Sequence, residues 1–548
     1  MAHALAGKPV QEQDIIDVQT IVDAYFDNVP DMTNPTQLVS FGTSGHRGTS
    51  VDGTFTDLHV AAITQAICDG RKQFGATGPI FVGQDTHALS QPALVTVLEV
   101  LAGNGVTAMV DCDMAFVPTP SVSRAIIRYN EEHDDKADGI IITPSHNPPD
   151  NGGIKYNTII GGPADTVVTK WIEMRANEYL TAYCESEDFK RISIDNIEPT
   201  AQVPYDYKGL YVEELGDVIN MEAIKEAGPK VLVDTLGGSG ASYWNAIKER
   251  YGLDLTIIHD DYDPTFSFMT YDHDGKVRMD CSSTYVMASV INRIGDFDLA
   301  VGNDPDYDRY GIVVSSGLIS ANTFLTLAAR YLFTTRGWKN KGVGKTVVCT
   351  TMIDKWAADA ETPVFEVPVG FKYFSQLLFD GAIGIGGEES AGASFLKKDG
   401  TVWTTDKDGM IMALLSMEIM AVMGKSALKM ADEFVEEFGN PSFGRIDAPC
   451  KKEQKQILKQ MSAELITATT VDGDPITNIR TTSLYNDMPI DGVRVETDKG
   501  WFVARPSGTE DLYKIYGESY KGDLGLVALL TVGEEIVNAA LNGTIETE

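Results

Sequence analysis

Strand-like apolar runs, each opening into a polar loop and followed by a helical pattern, recur along this chain and limit its fold more than any other feature. "PIFVGQDTH" reads as a buried strand running into a loop. Ser90 to Asn104 then places Leu94, Val97, Leu98 and Leu101 on one helical face. Ser90 suits an N-cap, Pro92 the first turn, and Gly103 or Gly105 the stop. "GVTAMVD" reads as the next strand. The same order returns in "PKVLVDTLGGSG" with "LDLTIIHDD", and in "KTVVCTTMID" with "TPVFEVPVGFKYF". Strands alternating with helices predict α/β domains built on parallel or mixed sheets.

At 548 residues the chain has room for roughly three to four domains. "EDFKRISIDNIEPTAQVPYDY" and "GNPSFGRIDAPCKKEQ" read as linkers or domain edges, and the stretch after Asn440 as a smaller α+β module ending in a helix. No apolar run approaches the ~18 residues of a membrane span, and the N-terminus lacks the basic start and apolar core of a signal peptide. The six cysteines are scattered, with no C-x-x-C pair, as expected of a reduced, cytoplasmic protein. Seventy-nine acidic against 44 basic residues give a net charge of −35, which disfavours nucleic acid and anionic membranes as partners. Anionic small molecules stay open to it, because distant charges are screened beyond about 8 Å at physiological salt.

Function is written in the loops. "TPSHNPPDNGGIKYN" follows the strand-like "DGIIIT" and crowds prolines, asparagines and glycines around Ser145, His146 and Lys155. Prolines fix φ and Asn/Gly supply tight turns, so the loop can present one hydroxyl at a fixed place, as a nucleophile requires. "FDLAVGNDPDYDRYGIVVS" sets Asp304, Asp306 and Asp308 between apolar runs. If this segment is extended, the spacing of two puts all three on one side. Two carboxylates 4 Å apart repel by roughly 4 kcal/mol at an effective dielectric of 20, so three that converge call for a cation. An EF-hand opens this way, but Arg309 stands where that loop needs glycine and Ser315 where it needs glutamate. An incomplete set of hard oxygen ligands suits Mg²⁺.

Two further loops suit oxyanions. "ARPSGTE" offers Arg505, the hydroxyls of Ser507 and Thr509, and the amide of Gly508; "FGTSGHRGT" sets His46 and Arg47 among glycines. "GIGGEESAGASF" puts Glu388 and Ser390 in a glycine-rich loop fit for sugar hydroxyls. Gly370 and Lys372 in "VGFK", and Lys407 in "TDKDG", gain meaning only as members of the set.

Taken together and in order, "FGTSGHRG", "TPSHNP", "DPDYDR", "VGFK", "GEESAG" and "RPSGTE" resemble the phosphoglucomutases of the α-D-phosphohexomutase superfamily, the bacterial glucose-type enzymes above all. The motifs run from residue 41 to 510. The resemblance implies three related α/β domains with mixed sheets and a smaller C-terminal α+β domain around a central cleft. The expected divisions are 1–202, 203–316, 317–441 and 442–548. It implies an isomerase that interconverts α-D-glucose 1-phosphate and glucose 6-phosphate through a phosphoserine and glucose 1,6-bisphosphate. Ser145 would carry the phosphoryl group, and one Mg²⁺ would sit among Asp304, Asp306, Asp308 and a phosphoserine oxygen. Glu388 and Ser390 would grip the sugar, and Arg505, Ser507, Gly508 and Thr509 the phosphate that does not react. Gly370, Lys372 and Lys407 would join the substrate contacts.

Lys155 and Arg47 lie in motifs beside the reacting group and could neutralise developing charge. His146 or Lys155 could act as general acid/base, His146 could equally only orient the loop, and Arg309 could buttress the metal loop or contact substrate. The implied partner is a phosphohexose, and a homodimer is compatible with the resemblance. Some relatives carry D-G-D-x-D-R where this chain has Asp304-Pro-Asp-Tyr-Asp-Arg309; the aspartates and the arginine persist. The rival readings are a mutase for mannose or glucosamine phosphate and a catalytically silent phosphosugar-binding protein.

Overall fold

The isoleucines of "DGIII" become the middle of a six-stranded mixed sheet. Asp138–Ile142 pairs parallel with Ile80–Gln84 and antiparallel with Asn151–Asn157. His46–Thr49 lies outside Asn151–Asn157, and Ala108–Asp111 and Gln202–Tyr205 complete the other edge. Successive side chains alternate across a strand. Ile80, Val82, Ile140 and Ile142 therefore pack with the helices Asp57–Gly70, Ser90–Gly103 and Thr166–Cys184, while Phe81 and Ile141 pack with Thr119–Glu132 on the opposite face.

The chain is described from a computed structural model over residues 2–42, 44–184, 189–466, 468–508 and 512–542. It divides into two compact units. One holds Met1–Ala321, Phe374–Ala382 and Ser390–Leu428; the other holds Asn322–Tyr373, Ile383–Glu389 and Lys429–Glu548. The first unit contains a second sheet, ordered Gly317–Leu318, Gly311–Val314, Leu299–Gly302, Val231–Asp234 and Leu255–Ile258. Leu299–Gly302 and Gly311–Val314 run antiparallel, so the loop that joins them, which carries the three aspartates, is the bend of a hairpin.

In the second unit Gly342–Thr346 pairs parallel with Val364–Val367 on one side and Ile383–Gly387 on the other. A six-stranded antiparallel sheet follows, covered by the helix Gly522–Leu541. Glu366 takes both guanidinium nitrogens of Arg480, at 2.6 and 2.9 Å, and Arg480 also reaches Glu496. This buried ionic group ties the parallel strands to the antiparallel sheet.

Several expectations need correction. Ser90 is the first helical residue, not the N-cap, because its hydroxyl is drawn to Asp85. Of the two readings of "GNPSFGRIDAPCKKEQ", linker or domain edge, the linker one fails: Ser442–Pro449 is a strand paired along its length with Leu512–Ser519. Its alternately half-buried side chains are the mark of an edge strand, which Gly and Pro obscure in the sequence. Within the other supposed linker, Gln202–Tyr205 forms the edge strand beside Ala108–Asp111. Against the expectation that no apolar run approaches a span, Gly522–Leu541 is long and apolar enough to cross a membrane by length and composition, although Asp523, Glu534 and Glu535 interrupt it. Its Leu529, Leu530 and Val537 are buried in the core that Phe502 and Ile515 share.

Candidate active site

Three glycines bring the reactive loop together. The His46–Thr49 strand lies against Asn151–Asn157, with Arg47 opposite Gly153. A Cβ on Gly153 would meet the Thr143 carbonyl at 2.2 Å, one on Gly45 the Ile154 carbonyl at 2.3 Å, and one on Gly48 the Thr54 carbonyl at 2.5 Å. His46 turns inward, bonded to Thr54 and Ser40 and stacked on His59, so it packs the core while Arg47 faces the loop.

Ser145 is buried in the left-handed region, at φ 61°. Its N–H donates to Thr143 Oγ1 at 2.7 Å. Its Oγ donates to Asp304 Oδ2 at 2.9 Å and lies 3.3 Å from His146 Nδ1. The hydroxyl is thereby placed against the aspartate loop from 159 residues away.

That loop is not extended, as the sequence spacing suggested. Tyr307 adopts φ 62° and its N–H donates to the Asp304 carbonyl, a turn that aims all three carboxylates at one place. The Tyr307 ring is buried against Gly238 and Gly240, where a Cβ would come within 2.9 and 2.4 Å of it. One carboxylate oxygen from each of Asp304, Asp306 and Asp308 lies within 4.8 Å of the others, and all three residues are buried.

Cations stand on the flanks of the cluster. Lys155 Nζ donates to Asp306 Oδ2 at 2.6 Å and Asp308 Oδ2 at 3.2 Å; Lys407 Nζ reaches Asp308 Oδ2 at 2.8 Å. Thr119 Oγ1 donates to Asp306 Oδ2 at 2.8 Å. The remaining oxygens, Oδ1 of Asp306 and of Asp308, are buried without a hydrogen-bond partner. Such atoms cost about 1–3 kcal/mol each unless something is bound to them. Oxygen donors of this kind, negatively charged and unspent, fit a hard divalent cation.

The electrostatics agree. Burial, with Asp306 and Asp308 beside it, pushes the Asp304 carboxyl well above the usual range. Burial also acts on Asp308, but Lys407, Lys155 and Arg309 outweigh it and hold that carboxyl well below the usual range. Lys155 is likewise desolvated, yet Asp306 and Asp308 keep its ammonium firmly charged. Burial, and after it the charge of Arg309, lowers His146 well below an ordinary histidine.

Arg309 is built into the loop. Its N–H donates to Asp304 Oδ1 at 2.9 Å, and its NH1 donates to Asp280 Oδ2 at 3.1 Å, while its buried Nε makes no hydrogen bond and lies 3.9 Å from Asp308 Oδ1. Arg47 makes only long bonds, at 3.4 Å to Asn147 and to Ser44, and its Nε is also buried and unpaired. Arg47 thus keeps a donor for an incoming anion, while Arg309 stays committed to the aspartates around it.

The structure therefore gathers Ser145, His146, Lys155, Arg47, Asp304, Asp306, Asp308, Arg309 and Lys407 in the first unit. Ser390 belongs there too, half-buried and next to Ala391, whose carbonyl accepts the Tyr310 N–H. Thr119 and Asp280 join the group without having been expected. Thr119 follows Pro118 at the start of a helix, and Asp280 sits in an irregular loop, so only the packed chain reveals them.

The second unit holds the other candidates. Gly370, at φ 131°, makes the turn into the helix that begins at Lys372. Glu388 is buried at the end of the Ile383–Gly387 strand. Arg505 lies on the Gly500–Pro506 strand opposite Lys514, with its Nε buried and unpartnered. The Ser507 N–H donates to the Leu512 carbonyl at 2.8 Å, and Gly508 is exposed. Thr509 lies outside the described residues.

Family models for phosphoglucomutase/phosphomannomutase match the chain in four blocks. The α/β/α domain I matches residues 38–182, domain II 210–317, domain III 320–438 and the C-terminal domain 447–524. The chain is 47% identical over 539 residues to the phosphoglucomutase of Komagataeibacter xylinus, covering 97% of each. It is 27% identical over 526 residues to phosphoglucomutase 1 of Saccharomyces cerevisiae, covering 88% of each. Among solved structures it resembles parafusin, a phosphoglucomutase of Paramecium in an open form. The TM-score is 0.71 at 20% identity, over 94% of this chain and 97% of that one, a likeness of fold.

Proposed function

Because the chain belongs to the phosphoglucomutase/phosphomannomutase family, we propose that it interconverts α-D-glucose 1-phosphate and glucose 6-phosphate, with Ser145 as phosphoryl carrier and glucose 1,6-bisphosphate as intermediate. One observation carries this reading: the Ser145 hydroxyl is pinned 2.9 Å from Asp304, beside carboxylates with buried, unspent oxygens. A structural serine needs no such neighbour.

Asp304, Asp306 and Asp308 would hold Mg²⁺, with a phosphoserine oxygen as the fourth protein ligand. Bound there, the ion would act as Lewis acid on the phosphoryl group. Phosphoryl transfer depends mainly on in-line placement and charge stabilisation. The left-handed Ser145 supplies the placement. Arg47 and Lys155 supply positive charge to the transferring oxygens, and Arg309 braces the loop through Asp280. Lys155 is tied to two carboxylates and charged, so in this arrangement it serves as an electrostatic anchor.

Glu388 and Ser390 would hold the sugar hydroxyls, with Gly370, Lys372 and Lys407 as further contacts. Arg505, Ser507, Gly508 and Thr509 would grip the phosphate that stays in place. "GEES" favours glucose over mannose. The scattered cysteines support a cytoplasmic enzyme; a homodimer is the assembly to test, by light scattering of the purified protein.

Intact-mass analysis and phosphopeptide mapping of the purified enzyme, run with a glucose 1-phosphate assay, test the proposal. Phosphate on Ser145 with mutase turnover is expected. A purified enzyme that never labels at Ser145 when fed the bisphosphate would refute it. The same assay on mannose and glucosamine phosphates separates the sugar specificities.

A further inference from the structure

Beneath the reactive loop lies a buried polar group that phosphoryl transfer, as described, does not use. Asp85 directly follows the Ile80–Gln84 strand and accepts four hydrogen bonds. Its Oδ1 takes Ser90 Oγ at 2.5 Å and the His87 N–H at 3.0 Å; its Oδ2 takes Thr143 Oγ1 at 2.6 Å and His87 Nδ1 at 2.8 Å. Four bonds fill a carboxylate's acceptor sites. From there two arms reach the loop. Thr143 Oγ1 accepts the Ser145 N–H at 2.7 Å, and His87 Nε2 meets the Asn147 carbonyl at 3.0 Å. The chain is gripped on both sides of Ser145, two residues before it and two after.

Ser145 needs such a grip. Its φ of 61° is a conformation that an L residue other than glycine holds at a cost of roughly 1–2 kcal/mol, and only where the surroundings fix it. Asp85, His87, Thr143 and Ser145 are all almost completely buried, so no water competes for these bonds.

The bonding pattern also fixes the state of His87. Both ring nitrogens face atoms that can only accept, a carboxylate oxygen and a peptide carbonyl. Each must therefore bear hydrogen, and the ring is an imidazolium. Burial opposes that charge, but the neighbouring Asp85, with Asp306 beyond it, outweighs burial. The Phe266 ring packs against the imidazole at 5.1 Å between centroids.

We propose that Asp85 and His87 are a buried carboxylate–imidazolium pair that acts through Thr143 and Asn147 as positioning residues, holding Ser145 in its left-handed, phosphoryl-accepting conformation. The proposal rests on Ser145 as the phosphoryl carrier. Neither member of the pair touches the reacting atoms.

The test compares Thr143→Val, which removes the acceptor for the Ser145 N–H, with Thr143→Ser, which restores it, and adds His87→Gln. For each, kcat and KM for glucose 1-phosphate are measured, with single-turnover transfer of labelled phosphate from glucose 1,6-bisphosphate to Ser145 and a thermal melt. A displaced nucleophile can lose about a hundredfold in rate. Thr143→Val and His87→Gln should therefore fold yet lose about tenfold to a hundredfold in kcat and in transfer, with KM within about twofold. Thr143→Ser should recover most of the loss. Parent-like kcat in the first two, a loss carried by KM, or no recovery in Thr143→Ser would overturn the proposal.

A second measurement needs no variant. Nitrogen-15 spectra of the wild-type enzyme at pH 7.5 should show both His87 ring nitrogens protonated, and a neutral ring would overturn it. The parent's own labelling of Ser145 is the control that separates failure here from failure of the functional reading.

Discussion

The serine–aspartate centre in the first unit and the Arg505 loop in the second are built in opposite ways. Around Ser145 most groups are buried: left-handed serine, three interior carboxylates, two lysines and an internal threonine, with Arg47, His146 and Arg309 half-buried beside them. Around Arg505 an antiparallel sheet with an alternately half-exposed edge strand presents one guanidinium and an exposed glycine. The first arrangement costs desolvation, recovered through dense hydrogen bonding and a site that fits a cation. The second leaves its groups near water, where they can meet and release a phosphate. The reactive hydroxyl and its carboxylates are buried, and the candidate phosphate grip lies nearer water.

The contrast can be broken most severely at the serine. Ser145→Ala should lower turnover by on the order of 10⁴-fold or more, as loss of a covalent nucleophile does, while the melting temperature stays near the parent's. Turnover at the wild-type level would end the idea that the buried centre holds the chemistry. Asp306→Asn comes next. It keeps the acceptor for Thr119 but removes charge from the cluster, so kcat should fall roughly a hundredfold and half-saturating Mg²⁺ should rise at least about tenfold. A titration of activity against Mg²⁺ reads both, and an unchanged metal requirement would sink the cage.

How much of this was legible in the sequence follows the same division. Ser145, Lys155, Arg47 and the three aspartates lie in short, compositionally odd stretches that marked them as candidates, and the order of those stretches, through the family resemblance, supplied the roles expected of them. The mechanism of convergence did not show: the aspartates meet because Tyr307 turns left-handed, and two glycines far away in sequence make room for its ring. Thr119 and Asp280 are ordinary residue types in ordinary contexts, and they matter only through contacts with Asp306 and Arg309. The α/β alternation was visible because wholly apolar runs survive as central strands. Ser442–Pro449 and Gln202–Tyr205 are edge strands, half-buried and carrying Gly or Pro, and composition disguised them as linkers.

At the open site the expected loss is smaller. Arg505→Ala removes a charged hydrogen bond worth about 1.5–3 kcal/mol, so KM for glucose 1-phosphate should rise roughly ten- to a hundredfold. Phosphoserine formation at saturating bisphosphate should change far less than in Ser145→Ala or Asp306→Asn. An Arg505→Ala enzyme with unchanged KM and lowered kcat would blur the distinction between the two regions.

The smallest effect concerns pH, and it too divides the units. All eight histidines fall between His3 and His273, within the first unit. His59 is the opposite of His87: its Nε2 faces the Gln37 carbonyl, but its Nδ1 accepts the Thr56 N–H, so the ring is neutral. Burial, with His46 stacked beside it, lowers His59 to about 3 from an ordinary 6.5. Above pH 6.5 neither the folded nor the unfolded form carries the proton, and stability is intact. Between pH 6.5 and about 3 the unfolded chain takes up a proton that the folded chain refuses, so stability falls as the pH drops. One proton is worth at most about 1.4 kcal/mol per pH unit. His59 should therefore contribute roughly that much to the stability lost between pH 6 and pH 5, and in urea unfolding His59→Phe should flatten the slope by about one kcal/mol per unit. A slope that His59→Phe leaves untouched would mean that the buried imidazole stack is not what acid attacks.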